Sequence, residues 1–442
     1  MTLILRFLSM FAAMWLVSGA LVAQTKVVTY HNDDRSSVKE VYYITPDSLI
    51  VGSYNRFYSS GEREAVAKFV DGKKDSTFTE FYPNGRVRLQ VTYKDDVKQG
   101  PFRSYHPDGK LLQEGSFEND QQSNVLKTYF PDGTLRQESA FVNGFPEGVV
   151  KEYYQSGKLK SEITYSNSKQ NGLAKTFYPN GQLETEANYR NGMLEGSYKT
   201  YFDNGQLETV VENVAGQKQG SYKSYFRSGK LSTEGSFMAG KMHGQAKAYY
   251  ESGKPRSIIE YRNGAIHGAA QYFYEKGNLR EEGIYSNNGD DRKVVRYYPS
   301  GNVQSEEQFK NKLRTGNWKT YFDAPGRKVS QSETYANDRL TGEKLSFHEN
   351  GQVKEKYKYD NGKIIGPSFT YHPSGKLKSE TAYKDGLRFG PFKQLFESGK
   401  TEITGQHRNN KATGNWKYFD EQGKLLKTVV FRNGEIVETK EK

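Results

Sequence analysis

The chain has 442 residues, no cysteine, 14% aromatic residues and a formal net charge of +12. The lack of cysteine excludes disulfides, thiolate metal sites, a cysteine nucleophile and a lipid-modified N-terminal cysteine. Only 34% of the residues are hydrophobic. Disordered chains are nevertheless poor in aromatic residues, so the composition favours a half-buried β-sheet over disorder.

Residues 1–23 predict a secretory signal peptide. Arg6 precedes an apolar run over 7–17, and small residues follow it, which is the order expected of such a segment. We expect cleavage before Gln24, with an uncleaved membrane anchor as the alternative. The run is short for a membrane span, and no later segment is apolar enough to cross a bilayer. The mature chain is therefore expected to be exported and not transmembrane, in the periplasm or on the cell surface of a bacterium.

A glycine recurs along the rest of the chain in steps of 24 residues, except for two steps of 25 that flank Gly326. A fixed period of this length identifies a repeat array, whose size comes from copy number and not from separate globular domains. Asn or Asp often precedes the glycine, which is typical of a tight turn because glycine adopts positive φ without steric cost. The predicted turn glycines are Gly61, Gly85, Gly109, Gly133, Gly157, Gly181, Gly205, Gly229, Gly253, Gly277, Gly301, Gly326, Gly351, Gly375, Gly399 and Gly423.

One clear repeat predicts two strands. Residues 182–189 alternate between two faces, and 196–202 alternate again. Turn signals at 190–192 and 203–205 separate these segments. No apolar stripe with a helical period is present, so no helix is predicted. We therefore predict an all-β fold, an elongated antiparallel sheet or solenoid of about sixteen stacked β-hairpins, each adding roughly 10 Å.

The array sets the expected domain limits. Residues 24–52 carry a weaker version of the pattern and predict a degenerate N-terminal capping repeat, since the terminal repeats of a stack are atypical. Tandem repeats are predicted over 53–434, followed by a charged C-terminal tail at 435–442. Two irregular turns, at 286–292 and 323–328, are the places where we expect a kink or a docking loop.

Aromatic residues keep the same period. Counted from the turn glycine of each repeat, position +8 lies eight residues after it and position −4 lies four residues before it, and both are aromatic in most repeats. Stacked hairpins would align position +8 into a continuous aromatic ladder, and cross-strand aromatic pairs stabilise a sheet by up to about 1 kcal/mol each. The predicted ladder comprises Phe69, Tyr93, Phe117, Phe141, Tyr165, Tyr189, Phe237, Tyr261, Tyr285, Phe309, Tyr359, Tyr383 and Phe431.

Charged residues are spread over the repeats. The scattered Lys and Arg fit a solvated sheet face, and the alternative is attraction to an anionic surface such as lipid or glycan. Position +5 is glutamate in many repeats, and a regular row of glutamates is expected to pair with Lys or Arg across strands. These glutamates are Glu114, Glu138, Glu162, Glu186, Glu234, Glu282, Glu306 and Glu380.

The sequence contains no constellation typical of catalysis or of a cofactor site. His106, His348 and His372 occupy the position held elsewhere by Tyr178, so the repeat register accounts for them. No two histidines have the spacing of metal ligands, and neither a Gly-x-Ser-x-Gly turn nor a Cys/His pair is present. We therefore expect no catalytic residue, no metal, no cofactor and no enzymatic activity.

The pattern resembles the bacterial variant of the MORN repeat. Tyr-Pro-Asn-Gly-Gln-Leu at 178–183 and the strand and turn residues at 189–201 carry the resemblance most clearly, and it extends over about 53–434. The resemblance implies an extended antiparallel sheet of stacked hairpins that serves as a scaffold, a spacer or an interaction surface. Eukaryotic relatives have been linked to phospholipid head groups and to dimerisation, and some bacterial proteins with this repeat are labelled as antitoxins.

Together these features predict a non-enzymatic, exported repeat scaffold that mediates protein–protein interaction in the cell envelope. Its partner would be another envelope protein or a second copy of the chain in a homodimer. The alternatives are a peripheral binding surface for anionic lipid or glycan, and an antitoxin-like binding protein. Nucleic acid is not expected as a partner.

Overall fold

The computed structural model describes residues 23–442, so the predicted signal peptide lies outside the described residues except for its last position. The described chain divides into two compact units. The first extends to Leu183 and includes Tyr189–Gly192, and the second comprises Glu184–Asn188 and Met193–Lys442. Within each unit nearly all regular structure is antiparallel β-strand, which confirms the predicted all-β class. The number of repeats and the predicted elongation stay predictions.

Strands follow one another with short connections in both units. The first unit contains β1 (Thr25–Tyr30), β2 (Val38–Ile44), β3 (Ile50–Phe57), β4 (Arg63–Val70), β5 (Lys73–Lys74), β6 (Ser76–Phe81), β7 (Val87–Lys94), β8 (Val97–Tyr105), β9 (Leu111–Glu118), β10 (Gln121–Tyr129), β11 (Leu135–Val142), β12 (Phe145–Tyr153), β13 (Leu159–Ser166) and β14 (Lys169–Phe177). Strand β15 (Leu183–Arg190) is divided between the units.

The second unit continues the same order. It contains β16 (Met193–Tyr201), β17 (Leu207–Val214), β18 (Gln217–Tyr225), β19 (Leu231–Met238), β20 (Lys241–Met242), β21 (Gly244–Tyr249), β22 (Pro255–Arg262), β23 (Ala265–Phe273), β24 (Leu279–Ser286), β25 (Asp291–Tyr297), β26 (Val303–Lys310), β27 (Leu313–Arg314), β28 (Gly316–Tyr321), β29 (Val329–Ala336), β30 (Arg339–Leu340), β31 (Gly342–Phe347), β32 (Val353–Asp360), β33 (Lys363–Ile364), β34 (Gly366–Tyr371), β35 (Leu377–Lys384), β36 (Leu387–Leu395), β37 (Thr401–Arg408), β38 (Lys411–Phe419), β39 (Leu425–Arg432) and β40 (Glu435–Glu441). A 3₁₀ turn at Asn287–Gly289 connects β24 and β25.

The predicted turn glycines close one of the two turns of each repeat. All sixteen have a positive φ, between 78° and 106°. At Gly205 the backbone N–H donates to the Phe202 carbonyl at 2.8 Å, and the Phe202 N–H donates to the Gln206 carbonyl at 2.8 Å. This is a three-residue hairpin loop in which a type I turn is followed by a left-handed residue. A residue with a Cβ would be strained there, so the backbone requires glycine.

The second turn of most repeats is a two-residue loop with both residues at positive φ, as at Asn191 (51°) and Gly192 (84°). This is the type I′ turn, whose twist matches that of the flanking strands. Aspartate replaces the glycine in some repeats, and it is then hydrogen-bonded to the preceding repeat. Asp96 Oδ1, for example, accepts the backbone N–H of Lys74 at 2.8 Å. Asp and Asn tolerate the left-handed region better than other non-glycine residues.

The strand after each two-residue turn carries a bulge that the sequence pattern did not predict. Val211 pairs with Tyr222, but Asn213 pairs with Lys218, so the second strand has two more residues than the first over this interval. Gly220 lies within the bulge at a φ of 93°. Bulges increase twist and end regular pairing locally, and here they recur once per hairpin in most repeats.

One repeat without the bulge glycine carries its extra residues in the turn. Arg292 occupies the position of Gly220, and β24 pairs with β25 without any register shift. The loop between these strands has four residues and contains the 3₁₀ turn at Asn287–Gly289. The rest of this hairpin has the register of the regular repeats because the two residues are moved from the bulge to the loop.

The segment predicted as a charged C-terminal tail, 435–442, forms strand β40 over Glu435–Glu441. It pairs with β39 from Arg432 opposite Glu435 to Lys427 opposite Glu441. Gly434, at a φ of 92°, closes the turn before it, so an Asn-Gly turn signal was present in the sequence. At the other end, within the predicted capping repeat at 24–52, β1 and β2 form a hairpin.

Few side chains are buried, and many of the buried ones are small. Position +6 holds Ala187, Val211 and Val429, which are all buried. Where position +6 is glycine, an aromatic ring can cover it. A Cβ built on Gly405 would lie 2.3 Å from Cδ2 of Trp416, closer than van der Waals contact permits. Trp416 therefore packs directly on the backbone of β37.

We expect the substitution Gly405→Ala to destabilise the protein by about 1–3 kcal/mol, the usual cost of overpacking. Gly405 does not have a positive φ, so steric overlap with Trp416 is the reason, and the double variant Gly405→Ala/Trp416→Phe should recover part of the loss. The denaturant midpoint measures both. A single variant as stable as the parent chain would contradict this packing.

Candidate binding surfaces

The aromatic residues at position +8 do not form a continuous ladder. Consecutive position +8 residues are separated by an intervening strand, so their ring contacts run through the residue at position −7. Phe102 contacts Phe117 at 4.8 Å between ring centroids, and Tyr222 contacts Phe237 at 5.7 Å. Position −7 is aromatic in some repeats but is small, aliphatic or polar in others, as at Val150, Ala174 and Ser368, so the aromatic rows are interrupted. Position −7 was not among the predicted contact positions, although its spacing from the glycine is nearly constant.

Basic side chains cover several of the position +8 rings. Lys98 and Lys218 place Nζ 5.1 Å from the ring centroids of Phe117 and Phe237. Arg292 places its guanidinium 3.7 Å from the Phe309 ring centroid. Cation–π attraction of this kind stabilises a sheet surface locally. Part of the scattered positive charge is therefore engaged within the chain.

The glutamates at position +5 lie in a row across the strands of the first unit, on the face opposite the position +8 rings. Arg103 is directly opposite Glu114, and their Nε and Oε2 atoms are 3.2 Å apart. Along the row, a basic residue, Lys or Arg, alternates with a glutamate. The successive cross-strand neighbours are Arg103, Glu114, Lys127, Glu138, Lys151 and Glu162. Exposed pairs of this kind contribute about 0–1 kcal/mol each, so the row adds register specificity and solubility.

Tyrosines at position −4 hold several of these glutamates. The hydroxyls of Tyr129 and Tyr249 donate to Oε1 of Glu114 and Glu234 at 2.8 and 2.7 Å. Burial, followed by the hydrogen bond to the glutamate, raises the pKa of each tyrosine to about 12. The sequence predicted the aromatic type at this position but not the role of its hydroxyl.

Tyrosines one residue further along connect each repeat to the next at the turn edge. Tyr82 and Tyr154 donate their hydroxyls to the backbone carbonyls of Tyr105 and Phe177 at 2.8 and 2.7 Å. His348 makes the equivalent contact from Nε2 to the Tyr371 carbonyl at 3.0 Å. His348 thus replaces a tyrosine in a structural contact, as its place in the repeat predicted.

His407 is the one buried histidine among residues 23–442. Its ring packs against those of Phe392 and Trp416 at centroid distances of 5.7 and 5.1 Å. Burial, together with the charge of Arg388, lowers the pKa of His407 below its ordinary value.

In the described part of the chain, no three acidic or histidine side chains converge as metal ligands do. Nor does any helix between residues 23 and 442 combine the length and apolarity of a membrane span.

A stripe of exposed apolar side chains lies beside the charged row of the first unit. Val125, Val149 and Leu173 each occupy position −8, and they are 40%, 40% and 39% exposed. Their spacing of 24 residues places them on successive repeats. We refer to these three residues as the apolar stripe. Exposed apolar groups that are aligned, unlike isolated ones, mark interaction surfaces.

The second unit contains a groove on the face that carries the position +5 glutamates. Its volume is about 590 Å³, and β23, β24, β25, β26 and β28 contribute its lining. Gly283 and Ala269 lie at its floor, where their missing or small side chains leave space. Ile284, beside them, is 62% exposed. Glu282 and Glu306 lie along one side. The groove adjoins the predicted irregular turn at 286–292, but the sequence pattern gave no sign of it.

A family model described as MORN repeat variant matches the chain twelve times. The matched segments together cover more than half of the chain: 74–95, 98–119, 146–167, 170–191, 194–212, 218–238, 242–263, 266–287, 293–311, 340–361, 364–385 and 412–433. The chain belongs to the MORN repeat variant family. This confirms the resemblance of the sequence pattern to the MORN repeat variant.

Comparisons of the MORN-variant chain with other proteins add little about function. No curated protein matches it. Among solved structures, it is similar to a TcdB2–TccC3 complex, at 12% identity and a TM-score of 0.15 over 89% of this chain and 26% of that one. A Photorhabdus luminescens Tc holotoxin pore is similar at 10% identity, with a TM-score of 0.14 over 89% of this chain and 24% of that one. The chain thus spans about a quarter of the length of these chains, and the low scores carry no functional argument.

The MORN-variant chain should lose stability at alkaline pH. Between pH 10 and about 12 the tyrosines of the unfolded chain ionise, whereas Tyr129, Tyr249 and Tyr297 of the folded chain stay protonated, because their pKa is raised to about 12. The contribution of these three tyrosines to the free energy of unfolding is fully present below pH 10 and is lost as the pH rises through 12. A chain with all three changed to Phe should show a shallower loss of stability in denaturant titrations over this range. An unchanged slope would contradict the assignment.

His407 should make stability fall in mild acid. Its pKa is lowered in the folded state, so the unfolded chain takes up a proton that the folded chain resists. The resulting stability is present above pH 6.5 and declines as the pH falls below that value. His407→Phe should abolish this component of the pH dependence between pH 7.5 and 5.5, because phenylalanine is common at position +8. The unfolding midpoint as a function of pH measures the effect, and identical profiles would refute it.

Proposed function

We propose that this MORN-variant chain is a non-enzymatic repeat scaffold, exported to the bacterial cell envelope, that holds another protein on its sheet surface. The apolar stripe is the observation that carries this proposal. Val125, Val149 and Leu173 expose apolar groups at a constant repeat spacing, beside charged side chains that are already paired. A partner that covers the stripe would bury apolar area without separating those pairs, which favours association.

Family membership supports a binding scaffold and does not identify the partner. An envelope protein or a second copy of the chain would each meet the stripe with a complementary apolar surface. Export rests on the pattern of residues 1–23 alone. An antitoxin-like role would require the same kind of protein contact in another compartment, so fractionation separates it from the envelope proposal.

Serine in place of each residue of the apolar stripe tests the contact. Ser197 and Ser221 occupy position −8 in other repeats, so serine is compatible with the fold. The triple variant should capture at least about tenfold less cross-linked partner from intact cells, since three apolar contacts are lost, while its unfolding midpoint stays close to that of the parent. Capture that is unchanged, or a parent chain that cross-links to no protein, would overturn the proposal.

The N-terminus of the purified chain tests export. Mass spectrometry of the envelope fraction should find a chain that begins at Gln24. A chain that retains Met1 and fractionates with cytoplasmic proteins would refute export and would favour the antitoxin-like alternative.

A second candidate is a peripheral surface for anionic lipid or glycan, and a row of lysines favours it. Lys230, Lys254, Lys376 and Lys400 each follow a turn glycine, and each donates Nζ to a turn carbonyl of the next repeat at 2.9 to 3.4 Å. An ammonium group has three donors, so each can also meet an anion. Binding to anionic vesicles that weakens with salt and with Lys→Gln at these positions would favour this function. Vesicle binding that is independent of salt would exclude it.

A further inference from the structure

The groove in the second unit differs from the rest of the position +5 row in its charge. In the first unit, Glu138 lies between Lys127 and Lys151 on the neighbouring strands. Glu282, in the groove, lies between Gln271 and Val295. It therefore has no basic cross-strand neighbour. The groove presents a carboxylate whose charge the sheet does not compensate directly.

Glu282 is held in place by a neutral partner. The Tyr297 hydroxyl donates to Oε1 of Glu282 at 2.5 Å, and this contact fixes the carboxylate without neutralising it. Across Val295 lies Glu306, whose Oε1 accepts NH1 of Arg327 at 3.2 Å. Two carboxylates thus flank an aliphatic side chain along one wall of the groove.

The floor and the part of the opposite wall beside Glu282 are apolar, whereas the rest of that wall is polar. Ala269, Gly283 and Ile284 lie beside the wall that carries the glutamates, and Lys293 and Gln308 extend the same side. A ligand with basic groups along one edge and an aliphatic group along the other would complement both walls. The basic groups must match the separation of Glu282 and Glu306, which are two strands apart, or roughly 9.5 Å.

We propose that the groove binds an extended segment of a partner protein in the polyproline II conformation, with basic residues at every third position. This inference rests on the proposed scaffold function and gives it a peptide ligand. A polyproline II helix advances about 9.3 Å per turn of three residues, so its basic residues meet Glu282 and Glu306 in succession. A β-strand returns to the same face after roughly 6.7 Å and does not match this separation. In the bound segment, the side chain of a residue between two basic ones would lie towards Ile284.

Fluorescence anisotropy with labelled nine-residue peptides tests the groove. One peptide carries lysine at every third position with proline and leucine between, a second carries lysine at every second position, and a third has glutamate in place of lysine. The first should bind, and more weakly as salt rises. The variant Glu282→Gln should weaken this binding about tenfold, the loss expected for one charge-assisted hydrogen bond. Ile284→Ser should weaken it further.

Glu234→Gln is the matched control. Tyr249 holds Glu234 as Tyr297 holds Glu282, but Glu234 lies between Lys223 and Lys247 and outside the groove. The two glutamine variants should have similar unfolding midpoints, and only Glu282→Gln should lose peptide affinity. Equal losses in both variants, similar affinity for all three peptides, or no binding of the first peptide would overturn the groove assignment.

The two proposals fail separately. If Glu282→Gln cross-links its cellular partner as the parent does, the groove does not bind that partner and the scaffold function stands. If the parent chain cross-links to no protein, the scaffold function fails, whatever the peptides do.

Discussion

Strand register is the constraint on which the rest of this structure depends. A slip of one residue in a hairpin would exchange its two faces, moving the position +8 rings to the side of the glutamates. Two left-handed turns per repeat prevent this, one closed by a glycine such as Gly205 and one of the two-residue type at Asn191 and Gly192. The hairpin around Asn287–Gly289 shows the strength of the constraint, because it lacks the bulge and keeps the register through a longer loop.

A fixed register places equivalent side chains on neighbouring strands, and most stabilising contacts are made there. Tyr82 reaches the carbonyl of Tyr105 in the next repeat, and Phe102 meets Phe117 across one hairpin. Neither contact needs a deep core, which agrees with the small residues that are buried, such as Ala187 and Ala270. The polar composition of the chain follows, since a sheet stabilised by local contacts leaves most side chains in water.

The structural features that depend on local backbone conformation could be predicted from the sequence. The turn glycines, the strands between them and the structural place of His348 followed from spacing alone. The features that the sequence did not predict depend on which residues face each other on neighbouring strands. Without that register, the contact of Phe102 with Phe117 could not be assigned. Nor could Val295 be recognised as the neighbour of Glu282, and the groove depends on that pairing. The strand at 435–441 was missed for another reason, because it lacks the aromatic residues used to recognise the others.

The tyrosine contacts at the turn edge have a mechanical consequence. Tyr82, Tyr154 and His348 each join one repeat only to its successor. A pulling force on the ends of either unit would therefore load these links one after another. The chain would lengthen in discrete steps, each releasing one 24-residue repeat, or roughly 80 Å of extended backbone. Such a sheet would yield gradually under tension, and its unstretched repeats would keep their surfaces intact.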